Sequence, residues 1–233
     1  MNKKTLLSAI TTASLATVLS FNALAAEEEK VNYGDPTASF TTLGVSASEE
    51  VTQLNGMMGL GSNIFQLDIN TNNKTGDLSG RGRYFHVTDG LGYSVDVIGD
   101  KNSQTVLGGV IYKWQVNDNV SVFPMLSVGA TQSKRFDDNG KATKKYDSSN
   151  LVQAGVYAMY GFDAGHWVYA NPKSTYHIKN EAFINQVEVG GGYMLMENVS
   201  VGAKVEYTDT IKDKLGNKTK SDTVGWIQAN YYF

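Results

Sequence analysis

The chain has 233 residues, no cysteine, 20 lysines and arginines against 23 acidic residues, and a formal net charge of −3. The cysteine count excludes disulfide frameworks and thiolate metal sites, and the mild acidity argues against a nucleic-acid partner. With 24 glycines, 13 tyrosines, 9 phenylalanines and only 3 prolines, the composition favours β structure.

The first 25 residues, MNKKTLLSAITTASLATVLSFNALA, have the parts of a secretory leader in order. Lys3 and Lys4 supply the positive start, residues 5–21 the apolar stretch, and Ala23-Leu24-Ala25 the small-residue cleavage site, so the mature chain is expected to begin at Ala26. Cleavage takes two lysines and no acid away, which moves the net charge from −3 to −5. No later run approaches the roughly 20 apolar residues of a helical span, so a membrane location requires a closed barrel.

Period-two alternation then recurs along the chain. Residues 37–60 read as a hairpin around an acidic turn, although alternation is weak before Leu54. Further strands are expected near 63–72, 79–88, 91–99, 105–116, 120–133, 149–162, 166–178, 184–196, 199–210 and 222–233. In the stretch from Val199 to Thr208, Val199, Val201, Ala203, Val205 and Tyr207 share one face, and Ser200, Gly202, Lys204, Glu206 and Thr208 the other. The same split puts Val106, Val110, Tyr112 and Trp114 opposite Lys113 and Gln115. Tyr112, Trp114, Tyr160, Phe162, Trp167, Tyr169 and Tyr193 lie near tight turns, as rings of an interfacial girdle do. Pro124 and Pro172 fall inside strands, where bulges are expected because a barrel has no edge.

Tight polar turns alternate with longer charged loops. The fold class is therefore all-β, a transmembrane antiparallel up-and-down β-barrel. Twelve strands place both termini on the side of the short turns. Ten strands preceded by an N-terminal plug is the alternative. The division is a leader at 1–25, a short periplasmic segment at 26–36 and the barrel at 37–233.

In the final strand, Gly225, Ile227, Ala229, Tyr231 and Phe233 share a face, ending on an aromatic ring. This resembles the terminal signature of Gram-negative bacterial outer-membrane β-barrel proteins: a last Phe, a second aromatic residue two before it, and apolar residues at alternate positions. The nearest in size are the small monomeric twelve-stranded channels, such as the acidic-sugar porins, and below them the eight-stranded barrels of the OmpA and OmpX type. The resemblance implies export to the outer membrane and assembly as a monomer. It also implies reading of Phe233, Tyr231, Ala229 and Ile227 by the barrel-assembly machinery, and contact with outer-membrane lipid and lipopolysaccharide.

The inward face carries the functional information. Strand parity assigns to it Gln66, Asp68, Asp96, Lys113, Gln115, Gln153, Glu188, Lys204, Glu206, Gln228 and Asn230, with Arg81 and Arg83 ambiguous. Of these, Asp68, Asp96, Lys113, Gln115, Glu188, Lys204, Glu206, Gln228 and Asn230 are the pore-lining candidates. Inward glycines at 92, 109, 129, 155, 190, 192 and 202 are expected to open space. A narrow channel for passive diffusion of small hydrophilic solutes is the first expectation. The alternative is a non-conducting structural or surface-interaction barrel, whose basic loop residues Lys134, Arg135, Lys141, Lys144, Lys145, Lys212, Lys214, Lys218 and Lys220 face lipopolysaccharide.

A lipid-modifying hydrolase is a distant third. Ser174 and His177 are the one pair worth testing, and three-residue spacing puts them on opposite faces unless Pro172 distorts the register. His86 and His166 read as girdle or turn residues, and Asp137-Asp138 as a solvated loop. No cofactor, metal site or enzymatic activity is expected.

Replacing Phe233 with Ser is expected to reduce outer-membrane insertion while leaving export through the inner membrane intact, measured by fractionation and heat-modifiable gel mobility. Unchanged insertion would refute the reading of the terminal strand.

Overall fold

The structure is a computed structural model that describes residues 31–88, 90–136, 142–214, 216 and 218–233. The leader, residues 26–30 and the Asp137-Asp138 pair lie outside the described residues.

Twelve strands form the barrel: β1 (Thr41–Ala47), β2 (Val51–Leu60), β3 (Asn63–Asn72), β4 (Leu78–His86), β5 (Leu91–Asp100), β6 (Ser103–Tyr112), β7 (Val120–Phe136), β8 (Ala142–Gly161), β9 (Trp167–His177), β10 (Ala182–Met196), β11 (Val199–Thr208) and β12 (Asp222–Tyr232). The piece Trp114–Gln115 continues β6 along β7. Each strand pairs antiparallel with its sequence neighbour, and β12 returns to β1 with Val45 opposite Ala229. The wall has no free edge. The weakly alternating segment 37–60 does supply the first hairpin, with Leu43 opposite Gly56, so the count is twelve.

Tight turns need residues that tolerate a left-handed backbone. Gly61, between β2 and β3, has φ 60°, and Gly165, between β8 and β9, has φ 84°. These turns mark one end of the barrel; the long loops mark the other.

Two expectations about the strands fail. Neither proline produces a bulge. Pro124 lies opposite Val156 in an unshifted β7–β8 register, and the β8–β9 register is the same before and after the gap at Asn171 and Pro172. Pairing on both flanks holds the register, so each missing N–H costs a local rung and displaces nothing. The charged stretch 134–149 is also largely strand rather than loop, because β7 and β8 continue as a hairpin beyond their neighbours. Polar residues occupy both faces there, which removes the alternation while leaving the ladder intact; the register shift falls between Lys134 and Phe136.

The packing is inverted relative to a water-soluble protein. Outward Val45, Leu67, Val97, Val128 and Val189 are exposed, and Ile227 is 70% exposed, whereas the inward hydroxyl residues Ser46 and Ser200 are 2% and 0% exposed. An apolar belt of this extent requires lipid around it. Tyr112, Trp114, Tyr160, Phe162 and Tyr193 are exposed on the outside near the short turns, as a girdle. Trp167 and Tyr169 are not part of it. Their parity points both rings into the lumen, where Trp167 lies opposite Gly192 and Tyr169 opposite Gly190.

At the long-loop end, ion pairs link successive connections. Glu50 pairs with Lys74 at 2.7 Å, Asp77 with Lys101 at 2.6 Å, Asp147 with Arg135 at 2.6 Å and Lys179 at 2.7 Å, and Glu181 with Lys214 at 3.5 Å. Lys134 donates to the Lys101 carbonyl at 2.6 Å. Part of the basic charge of the loops is thus engaged along the rim.

Two predictions follow from the wall and the rim. Val201→Arg, facing lipid, should destabilise the folded barrel by about 2–4 kcal/mol if Val201 lies near the bilayer midplane, read by urea unfolding in lipid vesicles. At the rim, hydrogen bonds from Lys74 and Lys101 hold the Glu50 and Asp77 carboxyls below their ordinary values. The rim pairs therefore contribute fully above the ordinary carboxylate range near about pH 4 and are lost as pH falls below it. Amide protection at Asn73 and Gly76, corrected for intrinsic exchange, should drop on acidification from pH ~6 to pH ~3, while protection of β3 and β4 persists.

Candidate functional site: the barrel lumen

The lumen has two zones. The larger is a cavity of about 730 Å³ lined by inward side chains of all twelve strands, charged and polar residues on its walls and members of the apolar cluster, such as Phe85 and Ile111, at its border. Arg81 and Arg83, two residues apart on β4, both point inward and share one carboxylate: their Nε atoms donate to Asp96 Oδ1 at 2.9 and 2.6 Å. The facing wall reverses the arrangement. Lys204 on β11 is shared by two carboxylates, Glu188 at 3.0 Å and Glu206 at 2.6 Å, while the Tyr169 hydroxyl donates to Glu188 at 2.7 Å. Glu188 and Glu206 lie directly opposite each other across the β10–β11 ladder, a repulsive placement that Lys204 offsets. The Lys204 ammonium also sits 5.2 Å from the centre of the Trp226 ring. Asp68 and Lys173 line the same cavity without an ion pair.

The second zone closes the short-turn end. Inward Met57, Ile64, Phe85, Ile111, Phe123, Met159, Trp167 and Tyr232 form a buried apolar cluster, against which Tyr33, Phe40, Tyr157 and Tyr169 pack. The N-terminal segment crosses this end. Tyr33 stacks on Tyr232 of β12 at 3.9 Å, the Gly34 carbonyl accepts from Tyr157 of β8 at 2.9 Å, and Asp35 pairs with Lys113, just past β6, at 2.7 Å. These anchors lie on opposite sides of the barrel, so the segment spans its width. Asp35 Oδ1 also accepts from the Thr37 amide and hydroxyl at 2.7 and 2.6 Å, which turns the chain towards β1. A close approach of Gly34 to the Trp167 indole leaves no room for a β-carbon there.

Of the residues read from sequence as lining candidates, Asp68, Asp96, Glu188, Lys204, Glu206, Gln228 and Asn230 border the polar cavity. Lys113 lies inward but holds Asp35 at the short-turn end. Gln115 is bound up in the β6–β7 turn, donating to the Asn117 carbonyl at 2.6 Å and accepting from Ser121 at 2.8 Å. The expectation that inward glycines open space fails at all seven positions: a neighbour already stands where a β-carbon would go, backbone at Gly92 and Gly129, Ser127 at Gly109, Lys173 at Gly155 and Gln228 at Gly202. The Trp167 ring occupies the room left by Gly192, and Lys204 and the Tyr169 hydroxyl that left by Gly190. Sequence reasoning left Arg81 and Arg83 ambiguous, passed over Lys173, assigned Tyr169 to the outer girdle and read residues 26–36 as a periplasmic segment without a place in the bore. The parity of Tyr84 and His86, which belong with the outer aromatic residues, carried the missing signal for the arginines.

Ser174 and His177 do not meet. The β9–β10 register is regular through Pro172, and the Ser174 hydroxyl donates to Asn185 at 2.8 Å. His86 stacks on Tyr93 at 5.0 Å, and His166 stacks on Tyr193 at 4.0 Å while accepting from the Met194 amide at 2.9 Å.

No protein-family model and no curated protein matches the sequence. Solved structures do. The NanC porin is 11% identical with a TM-score of 0.57, over 82% of this chain and 98% of that one. The KdgM porin is 8% identical with a TM-score of 0.58, over 83% and 98%. An outer-membrane channel from Pseudomonas putida F1 is 11% identical with a TM-score of 0.55, over 90% and 100%. The closed twelve-stranded wall is thus similar in fold to these small porins and channels. At these identities the likeness concerns the fold.

Asp35→Ala removes the Lys113 pair and the turn into β1 together. It is expected to lower the local stability of the crossing segment by about 1–3 kcal/mol, seen as faster amide exchange at Gly34 and Thr37 with exchange in β3 and β4 unchanged.

Proposed function

We propose that this chain is an outer-membrane channel for passive diffusion of small hydrophilic solutes, exported by its N-terminal leader and working as a single-chain barrel. The observation that carries the proposal is the polar, charged cavity of about 730 Å³ enclosed by a wall whose outer face is apolar. A filled structural barrel tends to pair off its interior charges; here, among the described residues, Asp68 and Lys173 line the cavity without an ion partner. The fold it shares with porins supports the same reading.

In this reading the short turns face the periplasm and the paired loops face outward. The terminal residues Ile227, Ala229, Tyr231 and Phe233 are presented to the assembly machinery. The unpaired rim lysines face lipid A phosphates.

The alternative, a barrel that does not conduct at rest, is favoured by one specific feature: the apolar cluster and the crossing segment narrow the periplasmic end. The two readings meet if segment 32–37 is displaceable. The refolded mature protein should then show discrete potassium chloride steps in a planar bilayer, and Asp35→Ala should raise their size or open probability. Persistent silence from heat-modifiable, folded barrels of both forms would overturn the channel reading.

A further inference from the structure

The two ionic clusters of the lumen are built on opposite walls and are opposite in kind. Strands β4 and β5 lie six places around a twelve-stranded ring from β10 and β11. On the first wall two guanidiniums share one carboxylate, and both arginines donate to it through Nε, with no carboxylate on their Nη groups among the described residues. On the second, two carboxylates share one ammonium. One triad thus carries surplus positive charge and the other surplus negative charge. Asp68 on β3, beside Arg81, and Lys173 on β9 face the same space and offset these surpluses in net charge, and among the described residues neither makes an ion pair, so the charges stay spatially separate.

Two further polar atoms beside the acidic triad, Asn171 Oδ1 and Trp226 Nε1, lack a hydrogen-bond partner and are fully covered by their neighbours. Asn171 is the ladder neighbour of Glu188, and Trp226 that of Lys204. Both atoms lie behind the lumen surface, so the groups offered to a solute are the guanidiniums and carboxylates themselves.

We infer that the lumen is a transit site for small zwitterions such as amino acids and short peptides, resting on the channel reading above. The solute carboxylate takes guanidinium donors of Arg81 and Arg83, and its ammonium takes the Glu188–Glu206 pair. A purely anionic solute meets the acidic triad unpaired, and a purely cationic one meets the arginines. Only a solute of both signs compensates both walls at once, and guanidinium forks suit carboxylates in particular. Specificity arises from the unpaired charge that each rejected class leaves behind.

The test uses the refolded mature protein in a planar bilayer at pH 7. Glycylglycine is compared with N-acetylglycinamide, of similar size and without charge, as a blocker of potassium chloride current. Glycylglycine is expected to block at a concentration about tenfold lower, the ratio that one charge-assisted hydrogen bond supplies. Arg83→Gln and Glu206→Gln sit on opposite walls, and each should abolish that difference. They should also shift the reversal potential in a salt gradient in opposite directions, Arg83→Gln towards cations and Glu206→Gln towards anions, which loss of packing alone does not produce. Heat-modifiable mobility establishes that each variant is folded, and one folded variant suffices. Equal block by the two compounds in a conducting wild-type barrel overturns the zwitterion site and leaves the channel standing. A folded barrel without any potassium chloride current overturns the channel reading and the site with it.

Discussion

Inside a bilayer a backbone amide or carbonyl has no water to turn to, and each one left unpaired costs several kcal/mol. Closure of the ladder is the answer, and here it is made by β12 returning to β1, with Thr42 opposite Tyr232 and Ala47 opposite Ile227. Everything else about the molecule is arranged on that ring. The wall tolerates Pro124 and Pro172 because flanking rungs hold the register; both lie beside Val156, so the lost donors are confined to one height of the wall. The inverted distribution of side chains follows from the same solvent: Ile227 faces lipid, and Ser200 faces a polar interior where it meets the Tyr232 hydroxyl at 2.8 Å.

Closing a ring of twelve strands leaves an interior between two regimes. Side chains fill a ring of about eight strands, and about sixteen leave an open channel. This chain divides the problem along the axis. At the short-turn end, Phe85, Phe123, Ile64 and Ile111 meet Trp167 and the N-terminal segment, and apolar packing fills the bore. Towards the long loops the inward positions become charged, and ionic triads line the walls instead of filling the space. Glycines serve both zones. Gly192 makes room for a ring, and Gly34 lets the crossing segment approach the Trp167 indole closely.

The triads explain how so many charges survive inside a narrow wall. A lone buried charge is expensive, and a shared counter-charge lowers that cost without cancelling it. Asp96 between two arginines and Lys204 between two glutamates leave triads of opposite sign, which Asp68 and Lys173 on the same cavity offset in net charge. At the rim, Glu50–Lys74 and Asp77–Lys101 tie separate loops together, and their exposure makes them sensitive to salt and acid.

Much of this was legible in the chain itself. Alternation identified the strands from residue 63 onward, because one face meets lipid and the other a polar interior, and this two-solvent contrast is written directly into residue order. It also placed Asp68, Asp96, Glu188, Lys204 and Glu206 on the inner face. The same signal vanished in the hairpin of β7 and β8 beyond the belt, where both faces meet water. Which charge pairs with which was decided by the exact register of neighbouring strands: Glu188 meets Lys204 because β10 and β11 align Gly190 with Lys204. The inward turn of Trp167 depends on a glycine 25 residues later, and the crossing of the bore depends on Asp35 finding Lys113, 78 residues away. Period two assigns a side chain to a face. Only the closed wall brings two faces together across a lumen, and so only the tertiary structure decided what fills the barrel and what is left open.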